Sequence, residues 1–352
     1  MGTATSEQNR LAWIDAARGF AILLVVLYHA IQWSASAGYD SDLWHDVSAP
    51  ISTLRMPLFF TLSGILAAKW VRRPWRELLG SKVASLLWLY LVWQTITIGV
   101  YMLVPNVSTP GKSNFAEVAT GLVSPLRPEG ALWFIWALAL FFVICRATIN
   151  RAPRGLLIGT AAVVATLSFG GVVSLGNVGW DGALDNFVFF ALGATCSPVL
   201  RTIGDRMTIT IAVGAVVAWV AFVAFVPFWE TAGWNILSRG LGLAAGIGIG
   251  VLLSRVSLLC RIGRNTLLLY LPHYLALTVL AFCASAAPLP SSSATWLPFG
   301  MFGGALAVCA LISALPRHVQ PTQVLFRTPA TVDTILRGWA YPDARKAPSE
   351  LP

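Results

Sequence analysis

The sequence has little charge, and this scarcity excludes most classes of soluble protein. Only 11% of its 352 residues are charged and 57% are hydrophobic, whereas soluble domains have about 25% charged and about 45–50% apolar residues. This composition excludes a disordered chain, a nucleic-acid-binding domain and an ordinary soluble enzyme. Because a membrane span needs about 20 apolar residues, we predict an all-α, polytopic membrane protein.

The sequence also lacks the motifs of several common kinds of site. Its five cysteines lie in apolar stretches without CxxC spacing, so we expect neither a disulfide framework nor a zinc site. No GxSxG, Walker, HExxH or GxGxxG motif is present. We therefore predict no metal site and no tightly bound cofactor.

Ten apolar segments, separated by short loops, predict about ten transmembrane helices. They run roughly over 14–36, 51–70, 83–104, 131–147, 155–175, 183–200, 207–227, 236–254, 265–287 and 298–315. Because no linker divides these segments, residues 1–315 are predicted to form one domain. A polar cytoplasmic tail is predicted over residues 316–352. The first segment also fits a cleavable signal peptide, with Arg10 before its apolar run and Ala35-Ser36-Ala37 after it.

The distribution of Lys and Arg predicts the orientation in a bacterial cell membrane. Two of these 24 residues, Lys112 and Arg127, fall outside when the N-terminus is in the cytoplasm, and Arg18, Arg55 and Arg239 fall within or at the edge of spans. The other nineteen fall inside: Arg10, Lys69, Arg72, Arg73, Arg76, Lys82, Arg146, Arg151, Arg154, Arg201, Arg206, Arg255, Arg261, Arg264, Arg317, Arg327, Arg337, Arg345 and Lys346. This asymmetry predicts that both termini are cytoplasmic, and it explains the charge of +9 without a nucleic-acid partner.

The first predicted span has the densest set of ionisable residues. Asp15, Arg18 and His29 can share one helix face at about 100° per residue, with His29 about 16 Å beyond Arg18. One interpretation is a polar seam between helices, in which Asp15 and Arg18 neutralise each other. The other is a catalytic face, with His29 as a general base in a partly dry cavity.

A basic cluster follows the second span. Arg72, Arg73 and Arg76 lie within five residues, beside Trp70 and Trp75. They fit a positive anchor on the cytoplasmic side, and equally a cradle for phosphate groups, which arginine binds bidentately.

Other polar and aromatic residues in the spans are candidates for lining a cavity. Arg55 either snorkels or faces a cavity, and Arg239 lies well inside its span. Trp133 fits an interfacial belt or a ligand platform. Tyr270 and His273 share a face at i and i+3.

Five blocks of this sequence, in their order and spacing, resemble the bacterial acyltransferase-3 membrane family. The first is Arg10-x-x-x-x-Asp15-x-x-Arg18-Gly19 with His29 eleven residues after Arg18. The others are Pro57–Leu66, Arg72-Arg73-x-x-Arg76, Leu132–Ile135 and Ile262–His273. Within the family, the chain is most similar to sugar O-acetylases, including fucose 4-O-acetylases.

The resemblance implies a ten-helix core that transfers an acyl group, acetyl in this branch, from acyl-CoA to a hydroxyl. The implied acceptor is a glycan, a lipid-linked sugar or a small molecule, and membrane lipids surround the core. The family's membrane histidine corresponds to His29, its helix-one arginine to Arg18 and its loop motif to Arg72, Arg73 and Arg76. Arg55, Arg239 and Tyr270 are then candidates for stabilising the oxyanion.

Two other functions fit the same residues. A transporter also uses intramembrane His, Asp and Arg in a proton relay, and a membrane sensor or scaffold needs no chemistry. We find no paired halves with matching broken helices, a feature typical of many transporters.

Overall fold

The computed structural model describes residues 2–231, 233–314 and 324–340, and within these ranges the chain is all-α, without β-strands. The helices are α1 Gly2–Ser36, α2 Asp42–Ala67, α3 Trp75–Leu78, α4 Ala84–Leu103, α5 Asn114–Val123, α6 Trp133–Thr148, α7 Arg154–Phe169, α8 Val178–Arg206, α9 Ile209–Phe225, α10 Trp234–Leu252, α11 Ser257–Arg264, α12 Thr266–Tyr270, α13 His273–Ala286, α14 Leu297–Ala314 and α15 Ala330–Ala340. A π-helical turn, Leu79–Val83, joins α3 to α4.

Seven helical segments of the described chain are long and apolar enough to cross a membrane: Ala12–Ser36, Asp42–Ala67, Trp75–Leu103, Val178–Arg206, Trp234–Leu252, Thr266–Ala286 and Leu297–Ala314. Three shorter apolar helices, α6, α7 and α9, lie where the other three spans were predicted. The polytopic all-α prediction is confirmed, whereas the number of ten spans and the side of each terminus stay predictions.

Glycines allow the central helices to approach closely. A Cβ on Gly64 of α2 would collide with the backbone of Phe190 on α8, and one on Gly193 of α8 would collide with the backbone of Thr61. Gly19 of α1 and Gly263 of α11 form a second crossing of the same kind. Small residues at such crossings bring backbones together in membranes, where van der Waals contacts are a main source of helix association.

The bundle has two chemically different ends. We call the end that carries Arg72, Arg146, Arg201 and Arg255 the inner end, and the end with the loops 104–113, 124–132, 170–177, 226–231 and 287–296 the outer end. The larger hydrophobic core joins α1, α2, α4, α6, α8 and α10 between them. These names follow the predicted orientation.

Part of the predicted tail is ordered against the bundle. The backbone carbonyls of Val324 and Leu325 accept hydrogen bonds from Trp88 and Trp93 of α4, at 3.3 and 2.7 Å. The following helix α15 contacts α3 and the π-helical turn, where a Cβ on Gly80 would meet the side chain of Ala340. Residues 316–323 and 341–352 of the tail lie outside the described residues.

Candidate active site

A cavity of about 300 Å³ lies in the outer half of the bundle, where α1, α2, α6, α8, α10 and α12 meet. For a cavity among membrane-spanning helices, it is lined by many polar side chains: Tyr28, His29, Ser52, Arg55, Asp181, Asp185, Asn186, Arg239 and Tyr270. Phe59, Trp133, Phe134 and Phe169 supply aromatic walls. A concave, largely apolar pocket with a few convergent polar groups is the usual form of a small-molecule site.

His29 faces this cavity near the outer end of its span, about 25 Å from Ala12 along the helix at about 1.5 Å per residue. Its Nδ1 lies 2.9 Å from Oε1 of Gln32, and Nε2 of Gln32 donates to the Tyr28 hydroxyl at 2.7 Å. Because this amide accepts through its oxygen, Nδ1 of His29 carries the proton. Nε2 is then the nitrogen with a free lone pair.

Arg55 contacts Tyr28 and so extends the polar group formed by His29, Gln32 and Tyr28. Its guanidinium lies 3.8 Å over the ring of Tyr28, and the residue is only 5% exposed. Nε and Nη1 of Arg55 have no hydrogen-bond partner within the described residues. A buried guanidinium with free N–H groups beside a cavity is costly unless a ligand or water accepts from it.

A second imidazole, that of His273, packs against the imidazole of His29. The ring centroids of His273 and His29 are 5.4 Å apart, and His273 is fully buried. Nδ1 of His273 donates to the carbonyl of Tyr270 at 2.7 Å, and its Nε2 has no partner among the described residues. The Tyr270 hydroxyl donates to the carbonyl of Ala131, so this tyrosine ties α12 to the loop before α6.

The opposite wall of the cavity carries charges of both signs. The guanidinium of Arg239 lies 3.4 Å over the ring of Phe169 and donates to the carbonyl of Asn235 at 3.1 Å. Asp185 interacts with Arg239 electrostatically, and its Oδ1 has no hydrogen-bond partner within the described chain. This wall can therefore both donate to and accept from a polar ligand.

The model of the acyltransferase domain of the acyltransferase-3 family matches residues 11–314, nearly the whole helical bundle. The chain belongs to the acyltransferase-3 family. It is a multi-pass protein of the bacterial inner membrane, as the apolar helices and the relatives indicate together.

Two nodulation proteins are similar to part of this chain. Nodulation protein NolL of Mesorhizobium japonicum is 29% identical over 163 residues, which cover 45% of this chain and 41% of the relative. NolL of Sinorhizobium fredii is 27% identical over 168 residues, covering 47% and 44%. The chain thus spans less than half of either nodulation protein.

Inner membrane protein YcfT of Escherichia coli K12 is 24% identical over 362 aligned positions, which cover 90% of this chain and 96% of the relative. No solved structure matches the chain.

The family motif in the first helix lies apart from the cavity. Asp15 forms an ion pair of 3.4 Å with Arg264 and also interacts electrostatically with Arg18, the partner that the sequence suggested. Arg18 also donates to the Thr266 hydroxyl at 3.0 Å. Together with the crossing of Gly19 and Gly263, these bonds hold α1 against α11 and α12 near the inner end.

The basic loop of the family pattern is exposed at the inner end. Arg72 donates to the carbonyls of Ala68 and Ala194, at 2.7 and 3.4 Å. Arg73 pairs with Glu77 at 3.3 Å. Arg72, Arg73 and Arg76 are absent from the described lining of the cavity, so a donor bound by this loop has to reach inward to meet His29.

The structure therefore brings His29, Arg55, Arg239, Tyr270 and Trp133 around one cavity, with His273 directly behind. It places Asp15, Arg18 and the three loop arginines elsewhere. Gln32 and Tyr28 were not predicted from the sequence. Their spacing from one another, and that of Gln32 from His29, is i to i+4 and i to i+3, which marks neighbours on a helix surface.

Proposed function

We propose that this chain is an O-acyltransferase that moves an acyl group, preferably acetyl, from acyl-CoA to a hydroxyl of a glycan, a lipid-linked sugar or a small-molecule acceptor. The support for this proposal is the family membership together with one geometric feature. That feature is an imidazole in a cavity, with one nitrogen held by an amide and the other nitrogen free.

The proposed reaction needs a base for the acceptor hydroxyl. Nε2 of His29 takes this proton as the acceptor oxygen forms a bond to the thioester carbonyl carbon. The tetrahedral intermediate then collapses, the carbon–sulfur bond breaks, and the thiolate of CoA takes up a proton from the imidazolium. General base catalysis of this kind contributes about 10²–10⁴-fold to the rate.

The proposed oxyanion partner is Arg55. Its Nε and Nη1 have no hydrogen-bond partner within the described residues, and the residue lines the cavity with His29, so these N–H groups can donate to an oxyanion that forms there. A donor fixed in a low-dielectric site stabilises a developing oxyanion without reorganising. Arg239 and Tyr270 line the same cavity, and they serve in the proposal to orient the substrates.

The two substrates are proposed to approach from opposite ends. The phosphates of acyl-CoA bind Arg72, Arg73 and Arg76 at the inner end, and the pantetheine arm carries the thioester inward between the helices. The acceptor approaches from the outer end, where the cavity lies. Transfer on this geometry would modify acceptors on the outer side of the membrane.

Replacing His29 with Ala tests the proposal. We expect incorporation of labelled acetyl from acetyl-CoA into membranes of expressing cells to fall by about 10²-fold or more, because the proton acceptor is lost. His45→Ala is the matched control, since His45 is exposed and pairs with Asp40 at the protein surface. It should keep the activity of the parent protein.

If the His29→Ala protein incorporates acetyl at the level of the parent protein, His29 is not the general base. Uptake of a labelled solute into proteoliposomes that contain no acyl-CoA would instead favour a transporter. Both measurements require that the variant is inserted at the level of the parent protein, which immunoblotting of the membrane fraction establishes.

A further inference from the structure

We propose that a second cavity at the outer end is a binding subsite for a sugar ring, and that it holds the acceptor next to His29. The cavity has a volume of about 220 Å³ and lies between the outer part of α4, the helix α5 and the loop before α6. The assignment of its ligand as the acceptor rests on the proposed function, whereas the binding of a sugar does not.

The lining of this second cavity suits a ligand with many hydroxyl groups. Most of its side chains carry both donors and acceptors or a full charge, among them Gln94, Thr97, Asn106, Thr109, Thr120 and Glu129. One wall is an ion pair, with Lys112 and Glu117 3.1 Å apart and the Glu117 side chain only 8% exposed. Such groups give a polyhydroxylated ligand directional hydrogen bonds.

Two aromatic rings, those of Tyr101 and Tyr274, complete the lining. An aromatic ring offers a flat apolar surface for the C–H face of a sugar, while the hydroxyls of these two tyrosines hydrogen-bond each other. The cavity is smaller than the range of about 300–1,000 Å³ that is typical of drug-sized ligands. One ring of a glycan therefore fits it better than a nucleotide or an acyl chain does.

Tyr274 links the second cavity to the candidate active site. Its ring lies edge-on to the ring of His29, with centroids 5.3 Å apart, and it also lines the second cavity. Ala131 lines both cavities. A sugar bound beside Tyr274 is thus one side chain away from the proposed base.

The test measures sugar binding without acyl-CoA. The full chain in lipid nanodiscs is mixed with methyl glycosides of glucose, galactose, mannose, fucose and N-acetylglucosamine, and saturation-transfer NMR reports which of them bind. We expect transfer to at least one glycoside, and about tenfold weaker binding in a Gln94→Leu, Thr97→Val variant, because two polar partners are removed.

Thr95→Val is the matched control, because Thr95 lies on the same helix but is exposed and outside the described lining. The hydroxyls of both threonines donate to a carbonyl four residues earlier, at 2.9 Å for Thr95 and 2.8 Å for Thr97. Thr95→Val should bind like the parent protein. Absence of saturation transfer from the parent protein to every glycoside overturns the subsite, as does equal binding by the double variant.

The NMR measurement of sugar binding requires neither acyl-CoA nor His29. Sugar binding can therefore be absent although acetyl transfer depends on His29, and sugar binding can be present although acetyl transfer does not depend on His29. Sugar binding by a protein without acetyl transfer would leave the subsite in place and remove the proposed reaction.

Discussion

At the scale of single residues, Gln32 determines which nitrogen of His29 is free. The Gln32 amide accepts from Nδ1 of His29 and donates to the hydroxyl of Tyr28. Replacing Gln32 with Leu keeps the size of the side chain and removes both bonds. We expect kcat to fall by up to about 10²-fold, because a misplaced base loses its reactive geometry, while KM for acyl-CoA stays constant.

A double-mutant cycle separates this positioning role from a general loss of structure. If Gln32 acts through His29, adding Gln32→Leu to His29→Ala costs no further activity, because the two effects are not additive within one unit. Gln94→Leu is the matched control: Gln94 lines the second cavity, so its effect should add to that of His29→Ala. Full additivity for Gln32 as well would assign it no role in orienting the base.

Some residues of the site could be predicted from the sequence, and others could not. Ionisable residues are costly against lipid, so Arg55 was expected to snorkel or to face a cavity and Arg239 was a candidate for lining one, and the structure places both at the cavity. Gln32 and Tyr28 carry no such signal, because uncharged polar residues near a helix end have many possible environments. Their chemical roles, like that of His29, stay predictions.

At the scale of secondary-structure elements, the crossing of α2 and α8 depends on glycine. We expect Gly64→Ala to destabilise the protein by about 1–3 kcal/mol, the typical cost of overpacking, because the new Cβ meets the backbone of Phe190. A lower midpoint of thermal unfolding, followed by tryptophan fluorescence in detergent, would reveal it.

Gly214→Ala provides the comparison for this prediction. Gly214 lies on α9 with no atom near the position of a new Cβ, and alanine favours a helix over glycine by about 1 kcal/mol. This variant should unfold at the temperature of the parent protein or above it. Equal midpoints for the two variants would mean that the α2–α8 crossing tolerates a wider separation.

The positions of the helices were easier to predict than their interruptions. Each predicted apolar segment overlaps a helix, since a membrane leaves the backbone little alternative to internal hydrogen bonding. The break between α12 and α13 at Leu271 and Pro272, and the π-helical turn Leu79–Val83, were not predicted. Proline lacks the N–H that would continue a helix, but whether a chain bends or breaks there depends on its neighbours in the fold.

At the scale of the whole molecule, the basic loop and the cavity lie in opposite halves of the bundle. The loop arginines are exposed at the inner end, whereas His29 lies near the outer end of its span. This separation fits an enzyme that takes its donor from one side of the membrane and its acceptor from the other. It also predicts that binding of the two substrates responds to different residues.

Replacing Arg72, Arg73 and Arg76 together with Gln should raise KM for acetyl-CoA and leave kcat at saturating donor almost unchanged, because these side chains are proposed to bind phosphates and lie far from the reacting atoms. A triple change of Arg151, Arg154 and Arg206 to Gln removes the same charge from other exposed positions of the inner end, and should leave that KM unaltered. Initial rates at varied acetyl-CoA in nanodiscs distinguish the two. If the two triple variants have equal KM values for acetyl-CoA, the loop arginines have no specific role in binding the donor. The net charge of the inner face then accounts for their effect, and the loop is only an anchor for topology.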